Sequence, residues 1–327
     1  MQPAESPTPT LAFVTVVFEA EIGLLELQAR SLRAHLAPGT ASAIVVLDNT
    51  ARGLSRRSRT RIGREYGALE PLVSYVRTAD LGVGGAVHGW RSQQAAKLLI
   101  ARRVQSSHVV ILDAKNHLIA DASVDDFVGA DGIPRGGTHS YLAHPLRDEL
   151  ERTLRHLGAD EAAISAAVAD FPPTATPFVV DTNVVRALID DVESSAGTGF
   201  AEAFERAGLL EFFLYSGWAA LHRPGRPVVD GRPIPAPVIW PRRAHLDGVE
   251  ATIAEVHEQD ALWFAVHRRV LARGDRDTRR RIETFWAERG LLTPREARAF
   301  VRRFRLRYAP LMAKTRAVEA VRRRLAS

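Results

Sequence analysis

Four short apolar runs constrain what this chain can fold into more than anything else in it. Leu11–Phe18 (LAFVTVVF), Ala43–Leu47 (AIVVL), Leu72–Val76 (LVSYV) and His108–Leu112 (HVVIL) are mostly continuous rather than alternating. That is the pattern of strands covered on both faces. Between the first two, Ile22–Leu36 sets Leu24, Leu25, Leu27, Ser31 and Leu32 at helical spacing and is closed by Pro38-Gly39. Before the fourth, Ser92–Val104 lines up Ala96, Leu99, Ile100 and Val104 on one helical face. Strands and helices alternating in this way predict an α/β fold, with a mostly parallel central sheet flanked by helices. Ligands are then expected at the carboxyl ends of the strands. Two of the runs end there on a carboxylate: Asp48 follows the second and Asp113 the fourth.

The remaining segments read less regularly. Leu81–Gly89 and Gly132–Gly137 are glycine-rich turns, Arg147–Leu157 is predicted as a helix, and Phe178–Val180 as a strand followed by a helix from Val184. Phe200–His222 reads as one helix, and Arg223–Pro241, with six prolines, as a loop or edge segment. Thr293-Pro294-Arg295-Glu296 is a helix start, with a threonine cap, proline at the first position and a glutamate to complete a capping box. Phe300, Phe304 and Tyr308 then form its buried stripe, and Pro310 is expected to break it before a last basic helix. The expected organisation is a disordered or extended 1–10, a main domain 11–267 and a basic helical extension 268–327.

Charge divides along the same line. Residues 268–327 carry 19 basic and 6 acidic side chains, a balance of +13, whereas residues 1–267 carry 25 and 32, a balance of −7. Segregated positive charge argues against nucleic acid in the main cleft. It suits helices docked on an acidic body, or peripheral contact with an anionic membrane through Arg302, Arg303, Arg322, Arg323 and Arg324. There is no cysteine, no apolar run long enough for a membrane span and no leader-like start, so a soluble cytoplasmic protein is expected. Arginine outnumbers lysine 41 to 3, and two of the three lysines, Lys97 and Lys115, fall in one segment. There a compact ammonium suits the site better than a planar fork.

That segment, Gly89–His117, carries the chemistry. Gln93 and Lys97, four residues apart, share a helical face, and Gln94 is three from Lys97. Asp113 leaves the sheet at its carboxyl edge, with Lys115, Asn116 and His117 close behind. A carboxylate, an ammonium, an amide and an imidazole together suit a diphosphate, with or without a divalent ion. Glu211, among Leu209, Leu210, Phe212 and Phe213, either faces a cleft or is exposed, because an unpaired carboxylate in such company is costly. Half-buried, it has the raised pKa of a general base. His267 is placed either near phosphate or in the core. No Gly-Lys-Ser/Thr loop, His-Glu-x-x-His helix or Gly-x-Ser-x-Gly elbow occurs, and Gly82-Val83-Gly84-Gly85 lacks the strand-to-helix setting of a dinucleotide loop.

Gly89-Trp90-x-x-Gln93-Gln94-x-x-Lys97-Leu98, followed by a strand ending Leu112-Asp113, resembles a bacterial glycosyltransferase-like family with a GT-A fold. Thr176-Pro177 and Glu211-Phe212-Phe213-Leu214-Tyr215 resemble two further stretches of that family, and the likeness spans roughly residues 11–270. The resemblance implies transfer of a sugar from a UDP- or GDP-sugar type of donor to a hydroxyl acceptor: a glycan, a lipid-linked sugar or a small molecule. It implies Asp48 near the nucleoside, and Asp113 at a divalent metal (Mg²⁺ or Mn²⁺). Lys115, Asn116, Gln93, Gln94, Lys97 and His267 would stand about the diphosphate, and Glu211 would be the base toward the acceptor. GT-A enzymes hold their metal with Asp-x-Asp; here the pattern reads Asp113-Ala114-Lys115-Asn116, without the second aspartate. The alternative function is a non-catalytic nucleotide-sugar or glycan-binding module.

Overall fold

The computed structural model describes residues 9–83 and 90–326, apart from the side chains of residues 90 and 312–326. The chain runs β1 (Leu11–Val17), α1 (Ile22–His35), β2 (Ala41–Asp48), α2 (Arg56–Tyr66), β3 (Val73–Arg77), α3 (Trp90–Leu99), β4 (His108–Asp113) and β5 (Asn116–Leu118). It continues with α4 (Arg147–His156), α5 (Glu161–Ala169), β6 (Phe178–Asp181), α6 (Thr182–Ala196), α7 (Phe200–Arg206) and α8 (Glu211–His222). The last third holds β7 (Val238–Ile239), α9 (Leu246–Glu258), β8 (Trp263–Val266), α10 (Arg268–Arg273), α11 (Arg276–Glu288) and α12 (Pro294–Ala326).

The expected α/β architecture is present. The main sheet has the order β3-β2-β1-β4-β6, parallel throughout except for β6, which runs against β4. All seven residues of β1 are buried, which explains its unbroken apolar sequence. Alternation sends Leu11, Phe13 and Val17 to the core shared with α1, α2 and the last helices. Ala12, Val14 and Val16 go to the core shared with α3, α6, α7 and α8. A second, three-stranded sheet, β5-β8-β7, extends the first beyond the end of β4. Short helices α4 and α5 close a smaller cluster against Leu210 and Phe213 of the α8 region.

Three local expectations need correction. Phe200–His222 is two helices, because Gly208 takes a left-handed conformation (φ 64°) and ends the first. Pro310 does not break α12, which runs through it. Proline removes a single backbone donor, and Leu306, whose carbonyl loses that partner, is 67% exposed and can bond water. Nor are residues 268–327 an appendage. Val270, Phe285, Trp286, Phe300 and Phe304 belong to the same apolar core as Phe13 and Leu32. Of the remaining expectations, residues 1–8, Gly84–Gly89 and the side chains of Arg322, Arg323 and Arg324 lie outside the described residues. Among the described residues no helix is long and apolar enough to cross a membrane.

The capping box at the start of α12 forms as expected, Thr293 and Glu296 bonding each other's backbone N–H. Phe300, Phe304 and Tyr308 are buried and stacked in succession, with ring centroids 6.3 and 5.8 Å apart. Phe304 packs so closely on α1 that a Cβ at Gly23 would lie 2.9 Å from its ring. Phe304→Ala is therefore expected to cost about 3–5 kcal/mol of unfolding free energy, the range for a truncated core phenylalanine. Denaturant unfolding measures it, and a loss under about 1 kcal/mol, the size of a surface change, would contradict the packing.

Candidate active site

A cleft of about 1050 Å³ opens at the carboxyl edge of the main sheet. Its floor is the reversal between β4 and β5, where Asp113 ends one strand and Asn116 begins the next. The reversal is held from beneath by buried amides. Gln28 of α1 donates to the carbonyls of Asp113 (2.8 Å) and Asn116 (2.9 Å), and its own oxygen accepts from Thr15 (2.7 Å). The Asn116 side chain accepts from the Asp113 N–H (2.9 Å) and from Thr176 Oγ1 (2.8 Å), and donates to the Thr176 carbonyl (3.0 Å). Just after it, His117 Nε2 accepts from Trp286 Nε1 (2.9 Å), and burial pushes this imidazole down to about 4. The side chains of Asp113 and Lys115 are thereby left facing the cleft.

Three charged groups converge there. Lys97 of α3, 8% exposed, donates to Asp113 Oδ1 at 2.9 Å and to Glu211 Oε1 at 3.3 Å. Lys115 donates to the other Asp113 oxygen, and its ammonium lies 5.5 Å from the centre of the Trp240 ring. Burial works against ionisation of Asp113, but the ammoniums of Lys115 and Lys97 overcome it and hold the carboxyl well below its ordinary range. Burial raises Glu211, with the Lys97 ammonium opposing and the Asp113 charge adding to the rise. Lys97 is held above its ordinary value, the two carboxylates outweighing burial. Glu211 is also the first residue of α8, where the helix dipole favours a negative charge, and its N–H donates to Gln94 Oε1 (3.4 Å).

The rim adds groups that the sequence did not announce. Arg268 donates to Glu21 at 2.6 Å while its guanidinium sits 4.9 Å over the Phe18 ring. Glu21 is raised by burial, with Arg268 opposing. Trp240, 49% exposed, leans against His267, their ring centroids 5.7 Å apart. His267 accepts the Arg269 N–H as the cap of α10 (3.2 Å). Burial, then the charges of Arg268 and Lys115, push it down to about 4, so near neutral pH it offers a hydrogen bond and no charge.

Seven of the sequence-derived candidates thus line one cleft: Gln93, Gln94, Lys97, Asp113, Lys115, Glu211 and His267. Asp48 and Asn116 do not. Asp48 is buried and spends both oxygens on the loop behind β2, accepting from the Thr50 N–H (3.0 Å), Thr50 Oγ1 (2.6 Å) and the Leu54 N–H (2.6 Å). Asn116 is wholly buried in the bonds given above. Each had been expected at the ligand; each shapes backbone instead. The sequence reading missed Glu21, Arg268 and Trp240. The first two pair across 247 positions and the third stands in a proline-rich stretch without periodicity, so no local signal marks them.

The groups present do not fit the divalent metal expected at Asp113. Both of its oxygens already face an ammonium. Among the described residues no three His, Asp or Glu side chains stand together as a metal-binding set. A hard cation wants six or more oxygens, and the groups nearest Asp113 here are positive.

No protein-family model matches the chain, and no curated protein sequence does. Its fold is similar to those of several solved glycosyltransferases. The galactosyltransferase LgtC, solved with donor and acceptor sugar analogues, is 14% identical, with 86% of this chain and 96% of that one covered and a TM-score of 0.48. The bifunctional glycosyltransferase WbbM is 15% identical over 81% and 46% of the two chains, with a TM-score of 0.40. Glucosyl-3-phosphoglycerate synthase from Mycobacterium tuberculosis, solved with Mn²⁺, UDP and phosphoglyceric acid, is 13% identical over 55% and 58%, with a TM-score of 0.34.

The electrostatics of Glu211 give a pH test. Activity that needs its ionised form falls as pH drops through its pKa, so the acid limb of the kcat/KM profile is expected above 4.5, the ordinary value. Lys97→Met removes the charge that opposes burial, so it is expected to move that limb to higher pH. A limb that stays in place in the variant would detach Glu211 from the rate.

Proposed function

We propose that this chain is a GT-A-like glycosyltransferase that moves a sugar from a nucleotide-diphosphate donor to a hydroxyl acceptor. One observation carries the reading. At the carboxyl edge of a mostly parallel sheet, a carboxylate bracketed by two ammoniums shares one of them with a second, buried carboxylate whose pKa is raised. The cleft has the volume of a site for a ligand of sugar-nucleotide size.

The chemistry follows from the charges. The acceptor oxygen bonds to the anomeric carbon, the bond from that carbon to the diphosphate oxygen breaks, and the nucleoside diphosphate departs with the electron pair. Lys115 and Arg268 stabilise the charge growing on that leaving group, the larger electrostatic task of the reaction. Glu211 takes the acceptor proton. Its raised pKa brings it nearer the working pH, which suits a general base. Lys97 fixes the distance between the two carboxylates, and Gln93 faces the same space. The lysine where a metal-binding carboxylate was expected also invites the reading of a non-catalytic binding module, and turnover separates the two.

Screening UDP- and GDP-sugars for donor hydrolysis and for transfer to hydroxyl acceptors is expected to find turnover. Glu211→Gln should lower it about 10²–10⁴-fold, the usual worth of a positioned base, and Asp113→Asn should lower it by removing the charge that holds Lys97 and Lys115 in place. Turnover unchanged in both variants would end the site assignment.

Peripheral contact with an anionic membrane belongs to the same reading, since a lipid-linked sugar is one acceptor class. Its support is the outer face of α12, where Arg302, Arg303 and Arg305 are exposed around Leu306. Each basic group near such a surface contributes about 1 kcal/mol, so the protein is expected to pellet with anionic vesicles at low salt and release at high salt. Protein left in the low-salt supernatant would end the membrane reading and leave the basic segment structural or serving an anionic soluble acceptor.

A further inference from the structure

We propose that the cleft binds the diphosphate of its donor with side-chain cations alone, so that nucleotide binding needs no divalent metal. This rests on the sugar-nucleotide reading above and specifies how that site meets its ligand.

Lys115 has three N–H bonds to give, and Asp113 takes one; among the described residues no other hydrogen-bond acceptor is paired with that ammonium. The Trp240 ring lies 5.5 Å away, and an N–H turned toward its face leaves one more for a ligand. Arg268 spends one nitrogen on Glu21, leaving most of its five N–H groups without a partner among the described residues. Both side chains line the cleft. Charged N–H groups held in place by a carboxylate and an aromatic face are what phosphate oxygens require, and such bonds are among the stronger ones proteins make.

A divalent ion would fare poorly in the same place. To reach either Asp113 oxygen it must displace an ammonium, one of them the buried Lys97. It would then sit against Lys97 and Lys115 in a partly desolvated site, where like charges repel strongly. Backbone rearrangement offers no escape, because the reversal that carries Asp113 and Lys115 is pinned by Gln28 and Asn116. Lys115 stands two residues beyond Asp113 and points back at it, so the turn itself supplies the positive charge.

The test is calorimetric titration of the full chain with UDP and with GDP, in EDTA and in Mn²⁺. The affinity of whichever nucleotide binds is expected to be no higher in Mn²⁺ than in EDTA, since side-chain cations meet the diphosphate and would repel an ion carried on it. Lys115→Asp should lose at least about tenfold in EDTA and regain much of it in Mn²⁺, because the variant offers a second carboxylate to a cation. Lys115→Ala should weaken binding in both media without rescue. Wild-type affinity more than about tenfold higher in Mn²⁺ would overturn the proposal while leaving the sugar-nucleotide site intact. Failure of both nucleotides to bind folded protein in either medium would overturn that reading, and the proposal with it.

Discussion

Gln28 is an amide with no exposure to solvent, placed on the inward face of α1, and the cleft is organised around what it holds. A buried primary amide must find partners for both its donors and its acceptor or cost several kcal/mol. Here the partners are Thr15 of β1 and the two carbonyls that flank the β4–β5 reversal. The first strand, the first helix and the turn carrying Asp113 and Lys115 therefore become a single rigid unit. Asn116 repeats the device on the other side by tying the turn to Thr176. A site that must hold charge at fixed separation benefits from polar groups that cannot turn back toward water.

On that floor, Lys97 decides how the carboxylates behave. An ammonium so deeply buried is tolerable only beside compensating charge, and it has two partners at hydrogen-bonding distance. Its help is shared unequally. Asp113 also has Lys115 and is held firmly ionised, whereas Glu211 shares Lys97 with it and is raised by burial. Two carboxylates of the same cleft are thus pushed apart in pKa by their surroundings, one kept as a fixed anion and the other brought nearer the pH at which protons move. Replacing Asp113 by an apolar residue would disturb all three groups at once, so amide replacements isolate charge more cleanly than truncation does.

The sheet was legible because burial on both faces leaves a signature that cannot be hidden: β1, β2 and β4 are runs of apolar residues with no alternation. Lys97, Asp113 and Glu211 were legible for a related reason, since each is a charge where apolar neighbours make charge expensive. Distance in space was not legible. Arg268 meets Glu21, and Trp240 meets Lys115, only because β7 and β8 bring the last third of the chain to the end of β4. Those strands are two and four residues long, too short for any periodicity. Asp48 and Asn116 show the opposite failure. A carboxylate or amide at a strand end looks the same in sequence whether it faces a ligand or folds its own loop. Only the bonds from Thr50, Leu54 and Thr176 tell the two apart.

The charge asymmetry along the chain acquires a different meaning in three dimensions. The terminal segment with its balance of +13 is not held apart from the acidic body but interleaved with it. Arg268 reaches Glu21 in the cleft, Arg307 reaches Glu26 on α1 beside Arg61, and Glu296 of α12 accepts from Arg30. The carboxylates of Glu21 and Glu26 are buried, and only the pair at Glu296 has the exposure of a surface pair that contributes little by itself. The effect of these pairs lies in register, since they fix how α10 and α12 lie against α1 while the aromatic stripe supplies most of the binding energy. α1 carries Gln28, and β8 leads directly into His267 and Arg268. The helices that seem in sequence to be an extension therefore clamp the two elements on which the floor and the rim of the cleft depend. A chain cut at residue 267 would lose Arg268 from the rim and leave Phe13, Leu24 and Leu32 without part of the core that covers them.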